Sequence, residues 1–217
     1  MSVDGRLIVF EGVEGCGKTT QLQRSRSWLQ HLCDSKSAGF SVWVTREPGG
    51  TELGLGLRRF LLSEAEGKPI QDRAELLLFA ADRAQHVEEV LKPQLALGAV
   101  ILCDRYTDST IAYQGYGRGL SLSLINQLNF IATGGLESDL TLWLDVDVEV
   151  SLARTKKRGV ADRIEQADLA FHRRVQQGYI ELAKAYPERI VRVDANLSET
   201  VVQEQIQVIV SQRLKLQ

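Results

Sequence analysis

The chain has 217 residues, of which 44% are hydrophobic and 25% are charged, and its formal net charge is −2 at neutral pH. This composition is typical of a folded globular protein, and the weak negative charge argues against nucleic acid or an anionic membrane as a partner. Because the apolar runs are too short to cross a bilayer, we expect one α/β domain over residues 1–217 that has no membrane partner.

The first predicted strand, residues 6–11, contains the apolar run Leu7-Ile8-Val9-Phe10 and leads directly into a glycine-rich loop. The loop reads Gly12-Val13-Glu14-Gly15-Cys16-Gly17-Lys18-Thr19, which matches the P-loop pattern GxxxxGK[ST] in its usual place between a strand and a helix. Lys18 supplies positive charge for the β- and γ-phosphates, and the Thr19 hydroxyl suits Mg²⁺. The sequence therefore predicts that a nucleoside triphosphate binds to Gly12, Val13, Glu14, Gly15, Cys16, Gly17, Lys18, Thr19 and Thr20.

Apolar strand-like runs alternate with longer amphipathic segments along the rest of the chain, which favours a parallel sheet with helices on both faces. Further strands are predicted at residues 41–45, 99–103, 140–145 and 189–193. Helices are predicted at residues 18–33, 51–62, 71–92, 121–133, 147–158, 165–185 and 198–214. The polar stretch 63–69 is expected to be a surface loop. The predicted fold is a three-layer α/β P-loop fold whose five-stranded parallel sheet is flanked by helices.

Charged residues follow two of these strands at the edge of the sheet where parallel strands end and ligands gather. Arg46 follows the second strand, and Asp104 and Arg105 follow the third. The planar guanidinium of arginine suits bidentate binding of phosphate, which favours phosphoryl transfer to an acceptor that already carries a phosphate. Ion pairs of Arg46 with Glu47, or of Arg105 with Asp104, are the structural alternative.

A basic segment at residues 154–165 is predicted to form a short lid over this site. Arg154 and Arg158 are four residues apart and share a helix face, Gly159 can end that helix, and Arg163 follows. A mobile lid that carries arginines excludes water and stabilises charge on the transferring phosphoryl group. A solvated basic helix end that complements the helix dipole is the alternative.

The cysteines and histidines give no sign of a disulfide or a metal site. Cys16, Cys33 and Cys103 form no Cys-x-x-Cys pair, and the N-terminus shows no secretory pattern, so we expect a reducing compartment, the cytoplasm. Cys103 is expected in the core and Cys16 at the surface beside bound phosphate. The histidines, among them His86, lack metal-ligand spacing and are expected at surface or packing positions.

No residue stands out as a general base. A phosphate acceptor is already anionic and needs no base, whereas a hydroxyl acceptor requires one, and Glu47 is the candidate for that role. A nucleoside kinase, or a kinase for another monophosphate, is therefore an alternative. A P-loop switch that signals to a partner is another, although the chain lacks the Asn-Lys-x-Asp string that reads guanine.

Longer strings of the chain resemble the thymidylate kinase family, whose members transfer a phosphoryl group from ATP to dTMP. They are Phe10-Glu11-Gly12 with the P-loop, Thr45-Arg46-Glu47-Pro48-Gly49-Gly50-Thr51, Leu78-Phe79-Ala80-Ala81-Asp82-Arg83, Asp104-Arg105-Tyr106, Ala112-Tyr113-Gln114-Gly115 and Asp162-Arg163-Ile164-Glu165. The P-loop alone is generic, whereas the Arg-Glu-Pro-Gly-Gly-Thr string combined with Asp-Arg-Tyr is specific. The P-loop carries no arginine, so the chain is similar to bacterial-type members, in which the lid supplies that charge.

The resemblance implies a set of site residues. The catalytic residues it implies are Lys18, Arg46, Arg105, Arg158 and Arg163. Those implied for binding dTMP are Glu14, Arg46, Phe79, Arg83, Arg105, Ser109, Tyr113 and Gln114. Mg²⁺, which accompanies ATP, would be held by Thr19, Asp104 and Glu14.

Individual roles also follow from the resemblance. Phe79 would stack on thymine and Arg83 would hydrogen-bond the edge of the base. Tyr113 would crowd the 2′ position and so favour deoxyribose, while Arg46 and Arg105 would hold the acceptor phosphate. Family members are typically homodimers, so a homodimer is expected here as well.

Overall fold

A computed structural model describes residues 5–36, 40–62, 69–159, 163–164 and 167–214 of the chain. Within these residues, five parallel strands form one sheet in the order β2-β3-β1-β4-β5. The strands are β1 (Arg6–Glu11), β2 (Val42–Arg46), β3 (Val100–Asp104), β4 (Leu140–Asp145) and β5 (Ile190–Asp194). The predicted parallel sheet is confirmed, and β2, β3 and β5 each begin one residue later than predicted.

Helices connect the strands and cover the sheet. They are α1 (Lys18–Lys36), α2 (Glu52–Leu62), α3 (Asp72–His86), α4 (Lys92–Ala96), α5 (Thr107–Thr110), α6 (Leu122–Thr133), α7 (Val148–Arg158), α8 (Leu169–Ala185) and α9 (Glu199–Leu214). A π-helical turn, Val87–Leu91, joins α3 to α4, and a second one, Ile111–Gly117, continues α5. No helix in the described ranges is both long enough and apolar enough to span a membrane.

The central strand β1 supplies residues to both faces of the sheet, because successive side chains of a strand point in opposite directions. Ile8 and Phe10 belong to one buried cluster, which also contains residues of α1, α8 and α9. Leu7 and Val9 belong to a second cluster, which contains Val87 of the first π-helical turn. Two cores therefore lie on opposite faces of the sheet, and they explain why the strands read as continuous apolar runs.

The helical segment of residues 107–117 was not predicted from the sequence. Gly115 and Gly117 weaken intrinsic helix propensity, so no amphipathic pattern is visible there. Tertiary contacts hold the segment instead: the side chain of Asp108 accepts two bonds from Arg189, which precedes β5, at 2.6 and 2.8 Å. Because Asp108 is 1% exposed, this ion pair fixes the start of the segment against the sheet.

Two other predicted features depend on segment ends. Gly159 has a φ of 103° and ends α7, as the sequence predicts. The structure describes residues 154–159 and 163–164 of the predicted lid, and the remaining lid residues lie outside the described ranges, so a moving lid stays a prediction. The predicted surface loop at residues 63–69 also lies largely outside them.

Candidate active site

Strands β1, β2 and β3 end side by side, and the charged residues predicted for the site lie at these ends. Asp104 at the end of β3 is in register with Phe10 of β1 and with Arg46 of β2. Because the strands are parallel, the loops that follow them open on the same edge of the sheet. Arg105 therefore reaches the P-loop, and its Nη1 donates to the Gly12 carbonyl oxygen at 3.1 Å.

The backbone of the P-loop has a positive φ at Gly12, Gly15 and Gly17, and at the first two a neighbouring carbonyl oxygen also leaves no room for a side chain. Gly12 and Gly15 have φ angles of 140° and 72°, which side chains rarely adopt. A Cβ at Gly12 would lie 2.6 Å from the Leu144 carbonyl oxygen, and a Cβ at Gly15 would lie 2.6 Å from that of Ser151. The Ser151 hydroxyl also donates to the carbonyl oxygen of Glu14, so α7 anchors the middle of the loop.

Lys18, the first residue of α1, lies inside the curve of the P-loop and is 6% exposed. Its Nζ donates to the carbonyl oxygens of Gly12 at 3.1 Å and Val13 at 3.0 Å. The ammonium group is thus held at the centre of the loop, among backbone groups that can turn toward phosphate oxygens. This geometry fits the predicted role of Lys18 as a cation for the triphosphate.

Cys16 differs from its prediction as an accessible thiol. Its side chain is 2% exposed and belongs to the core cluster that contains Ile8 and Phe10. Burial raises the pKa of the Cys16 thiol, although the charge of Lys18 acts to lower it. The prediction was wrong because the side chain turns away from the loop surface into the core. Cys103 is buried, as predicted.

Arg105 joins several parts of the site. It has a φ of 71°, a left-handed conformation that is uncommon outside glycine. Its guanidinium forms an ion pair with Glu14 and donates to Ser109 Oγ at 3.0 Å and to the Tyr113 hydroxyl at 3.1 Å. The group also lies 4.9 Å above the Tyr113 ring, close enough for a cation–π interaction. The P-loop and the segment 107–117 therefore meet at this side chain.

Neither ion pair that the sequence offered as a structural alternative forms among the described residues. Arg105 pairs with Glu14 rather than with its neighbour Asp104. Arg46 has an exposed side chain and no ion-pair partner in the described part of the chain, while the Glu47 carboxylate pairs elsewhere. Both strand-end arginines thus stand at the predicted edge of the sheet, and Arg46 is available to an anion.

Glu11 is a fully buried carboxylate beneath Arg105, and no role for it was predicted from the sequence. Its Oε1 accepts from the amides of Tyr106 at 2.8 Å and Ser109 at 3.1 Å, and its Oε2 accepts from Ser109 Oγ at 2.6 Å and the Tyr179 hydroxyl at 2.8 Å. Burial raises the pKa of Glu11, and the charge of Arg105 opposes that rise. An acidic residue at the end of an otherwise apolar strand was the available sequence signal.

Two predicted acceptor-site residues share one face of the segment 107–117. Ser109 and Tyr113 are four residues apart, and both contact the guanidinium of Arg105. The Tyr113 ring packs edge-on against Phe171 of α8, with ring centroids 6.2 Å apart. Phe79 is partly buried against the same core cluster. The Tyr113 and Phe171 rings form an aromatic wall beside the two hydroxyls that Arg105 binds.

Arg83 is 2% exposed and donates four hydrogen bonds within the described structure. Its Nε bonds Glu47 at 2.8 Å, its Nη1 bonds Thr110 at 2.8 Å and Asn129 at 2.9 Å, and its Nη2 bonds the Tyr106 carbonyl oxygen at 2.9 Å. These bonds account for four of the five N–H groups of a guanidinium. The contact of Arg83 with a base edge stays a prediction.

Glu47 is 3% exposed and accepts from two side chains of α3. The Nε of Arg83 and the Nδ1 of His86 each lie 2.8 Å from one of its carboxylate oxygens. This geometry does not support Glu47 as a base for a substrate hydroxyl, because both oxygens are buried and bonded. His86 is fully buried and makes polar contacts, which nothing in the sequence pattern indicated.

Asp82 is a second buried carboxylate on α3, 1% exposed. Its Oδ1 accepts from the amide of Gly49 at 2.9 Å, whereas its Oδ2 is buried and finds no hydrogen-bond partner in the described part of the chain. Burial, helped by the nearby charge of Glu47, raises the pKa of Asp82 to about 6. Two buried acids therefore lie against the chain around Arg46. Both carboxylate oxygens of Glu47 are hydrogen-bonded, whereas only one oxygen of Asp82 is.

Glu75 of α3 collects donors from two predicted site residues. It is 1% exposed, accepts from Gln114 Nε2 at 2.9 Å, and pairs with Arg163 of the lid segment and with Arg118. Burial acts to raise the pKa of Glu75, but the bonds from Gln114 and Arg163 leave it lowered. The described part of the lid is thus tied to the acceptor side through one carboxylate. The side chain of Arg158 lies outside the described atoms.

The residues predicted to hold Mg²⁺ fit a hard cation in part. Asp104 has a buried Oδ1 with no hydrogen-bond partner among the described residues, which is the kind of oxygen that Mg²⁺ binds. The Thr19 side chain is exposed beside the loop, where its hydroxyl is accessible. Glu14 faces the same crevice but pairs with Arg105, so Asp104 and Thr19 fit the ion best.

Comparisons with known proteins point in one direction. Residues 10–206 match the family model described as thymidylate kinase. The chain is 68% identical over 212 residues to a thymidylate kinase of Nostoc punctiforme, covering 97% of this chain and 98% of that protein. It is 59% identical over 218 residues to one from Trichodesmium erythraeum, covering 97% and 96%. The crystal structure of thymidylate kinase from Ehrlichia chaffeensis is 33% identical and superposes with a TM-score of 0.76, covering 95% of this chain and 98% of that one.

We predict that Asp82→Asn makes stability less dependent on pH. A carboxyl whose pKa is raised to about 6 binds its proton more tightly folded than unfolded, so the wild type loses stability as pH rises from about 4 to about 6. Asn keeps the acceptor for Gly49 and removes the titration. The unfolding free energy of Asp82→Asn relative to wild type should therefore rise by about 1–3 kcal/mol between pH 4 and pH 8.

Chemical denaturation at several pH values measures this difference. Asp194→Asn is the matched control, because hydrogen bonds from Asn196 lower the pKa of Asp194 and confine its effect to pH values below about 4. A constant difference between Asp82→Asn and wild type across this pH range would contradict the prediction.

Proposed function

The chain belongs to the thymidylate kinase family and phosphorylates dTMP to dTDP with ATP, and we propose that it does so in the crevice formed by the P-loop, Arg46 and Arg105. The observation that carries this assignment is the geometry of Arg105, whose guanidinium contacts both the P-loop and the segment of Tyr113. A phosphate at that position would lie between the two substrates of a transfer reaction. We further propose that residues 1–217 act as one kinase domain.

The P-loop would hold the donor. Its glycine-dependent turns curve the backbone so that its amides would face phosphate oxygens, and Lys18 adds a cation at the centre of the loop. Asp104 and Thr19, with Glu14 nearby, would hold Mg²⁺, which supplies charge neutralisation for the phosphates. These residues then only have to position the γ-phosphoryl group and exclude water.

Arg46 and Arg105 would hold the acceptor phosphate. Arg46 is exposed at the end of β2 and lacks an ion-pair partner in the described ranges. The guanidinium of Arg105 already makes five hydrogen bonds, which fix its direction. A phosphate oxygen is an anionic nucleophile, so the reaction needs no general base. The buried and fully bonded state of Glu47 agrees with this and disfavours the nucleoside kinase alternative.

The aromatic wall would receive the nucleoside. Phe79 would stack on thymine, and Ser109 and Tyr113 would line the sugar, with the Tyr113 ring excluding a 2′-hydroxyl. Gln114 is 3% exposed and donates to Glu75 through its amide nitrogen, which directs its side chain and leaves its carbonyl oxygen as an acceptor for a base N–H. Arg83 would act at the base edge through its remaining N–H.

The arginines of the lid segment, Arg158 and Arg163, would stabilise the transferring phosphoryl group. Val13, Glu14 and Cys16 leave the P-loop without an arginine, so the charge has to come from elsewhere. Arg163 lies within reach of the acceptor side, because it pairs with Glu75, which also binds Gln114. Release of this pair would free the guanidinium for phosphate.

We also propose a homodimer that buries an apolar face of α2, α3 and α6. Phe60 of α2, Leu77 of α3, and Phe130 and Ile131 of α6 are 71%, 56%, 68% and 74% exposed. Helix α3 packs against both α2 and α6, so these side chains belong to neighbouring helices. Large exposed apolar side chains on adjacent helices are typical of subunit interfaces. A cytoplasmic location stays a prediction from the sequence.

The function is tested by ADP release from Mg-ATP with dTMP, dUMP, UMP, thymidine or no acceptor. We expect strong release with dTMP and weaker release with dUMP, because a missing methyl group costs a pocket about 1–3 kcal/mol. Thymidine should give only background release, because Arg46 and Arg105 would have no phosphate to bind. Equal release with thymidine, or release that needs no acceptor, would refute the assignment.

Arg163→Ala should lower kcat for dTMP by at least about 10-fold and change its KM by less than about 3-fold, because a lid arginine acts on charge that develops in the transition state. Arg118→Ala is the matched control, since Arg118 also pairs with Glu75 but is not in the lid. Steady-state kinetics of both variants measure the effect. A similar loss of kcat in both variants would mean that the effect comes from the lost ion pair with Glu75 and not from phosphoryl transfer.

The dimer is tested by sedimentation of the wild type and of a Phe130→Glu, Ile131→Glu variant. The wild type should sediment at twice the 24.2 kDa mass of the chain, and the variant as a monomer, because charges in an apolar interface are costly to desolvate. Val208→Glu, at a 57% exposed position of α9, should leave the mass unchanged. A monomeric wild type, or a variant that still dimerises, would refute this interface.

A further inference from the structure

The last turns of α3 contact the end of β2, which carries Arg46, and the loop that follows it at three points. His86 Nε2 lies 2.6 Å from Thr45 Oγ1, and His86 Nδ1 lies 2.8 Å from Glu47 Oε1. Asp82 Oδ1 accepts from the Gly49 amide at 2.9 Å. Because His86 and Asp82 are four residues apart on one helix, a single helix face contacts the chain at Thr45, Glu47 and Gly49.

The hydrogen bonds of His86 fix its ring from both sides. A carboxylate only accepts, so Nδ1 carries a proton and donates it to Glu47. In the neutral ring, Nε2 then accepts from the Thr45 hydroxyl. The ring is 0% exposed and also lies against the loop backbone, since a Cβ at Gly50 would come within 2.4 Å of His86 Cδ2. His86 therefore has little room to reorient within this loop.

Arg46 lies between the two residues that His86 binds. Side chains alternate along an extended chain, so Thr45 and Glu47 point toward α3 while Arg46 points to the other side. Its side chain is exposed and forms no hydrogen bond or ion pair with the part of the chain that the structure describes. The direction of Arg46 is therefore set by the backbone on either side of it. Pairing with β3 holds that backbone on one side, and the contacts of His86 hold its side chains on the other.

We propose that His86 is a positioning residue for Arg46: by binding Thr45 and Glu47 at once, it aims the Arg46 guanidinium at the acceptor phosphate. This proposal rests on the proposed function, which gives Arg46 the acceptor phosphate. His86 touches neither substrate in this account. Its effect on the reaction passes through the backbone of residue 46, where a displacement of about 1 Å at a reacting group lowers the rate by up to about 100-fold.

Thr45→Val is the most direct test, because it removes the hydroxyl that bonds Nε2 and keeps the β-branched shape of the side chain. We expect kcat/KM for dTMP to fall about 10-fold, while KM for ATP changes by less than about 3-fold. Thr45→Ser restores the hydroxyl and should restore kcat/KM. An unchanged kcat/KM for dTMP would contradict the proposal, and so would a KM for ATP that changes as much as kcat/KM for dTMP does.

His86→Asn gives an independent variant in case Thr45→Val folds poorly. The Asn amide can take the place of Nδ1 and donate to Glu47, but it does not extend to Thr45. It should reproduce the kinetic effect of Thr45→Val. Thermal unfolding of each variant shows whether it is folded at the assay temperature, and a folded His86→Asn with wild-type kcat/KM would refute the proposal.

A double-mutant cycle with Arg46→Ala separates positioning from a general structural effect. If Thr45 and His86 act through Arg46, Thr45→Val should lower kcat/KM by less than about 2-fold in the Arg46→Ala background. A full 10-fold loss in that background would refute the positioning role and leave the proposed function standing. If Arg46→Ala alone has wild-type kcat/KM, the assignment of Arg46 to the acceptor phosphate fails, and the positioning role fails with it.

Discussion

The geometry of this site depends on where the guanidinium of Arg105 is held. The backbone of Arg105 adopts a φ of 71° at the end of β3, which turns the side chain back over the central strand. There it bonds the P-loop carbonyl of Gly12, pairs with Glu14 and reaches the hydroxyls of Ser109 and Tyr113. One cation thus joins the loop that binds the donor to the segment that lines the acceptor pocket.

Buried carboxylates hold this arrangement in place. Glu11 fixes the amides that follow β3, Glu47 fixes the loop that follows β2, and Glu75 fixes Gln114 and the described part of the lid. A buried charge is costly unless several donors satisfy it, and each of these acids receives at least two donors. The three acids therefore hold the segments around the crevice in place. The side chains that face the crevice at the ends of β2 and β3 are arginines, which suit a phosphate.

The strands and the P-loop were easier to predict from the sequence than the contacts of buried side chains. Strands and the P-loop were found because a buried apolar run and a glycine pattern are local signals. The partners of Glu47 and Glu11 were missed because they lie far away in the chain, where spacing gives no information. The burial of Cys16 was missed for the same reason, since it depends on a core assembled from distant elements.

In the proposed function, Arg105 binds the phosphate of the acceptor, and calorimetric binding of dTMP and thymidine tests this role most directly. Arg105→Lys keeps the charge and removes the planar fork, so comparison with wild type tests what the guanidinium adds to phosphate recognition beyond its charge. The wild type should bind dTMP at least about 100-fold more tightly than thymidine, and Arg105→Lys should narrow that ratio about 10-fold while its affinity for thymidine stays the same. An equal ratio in both proteins would contradict the account.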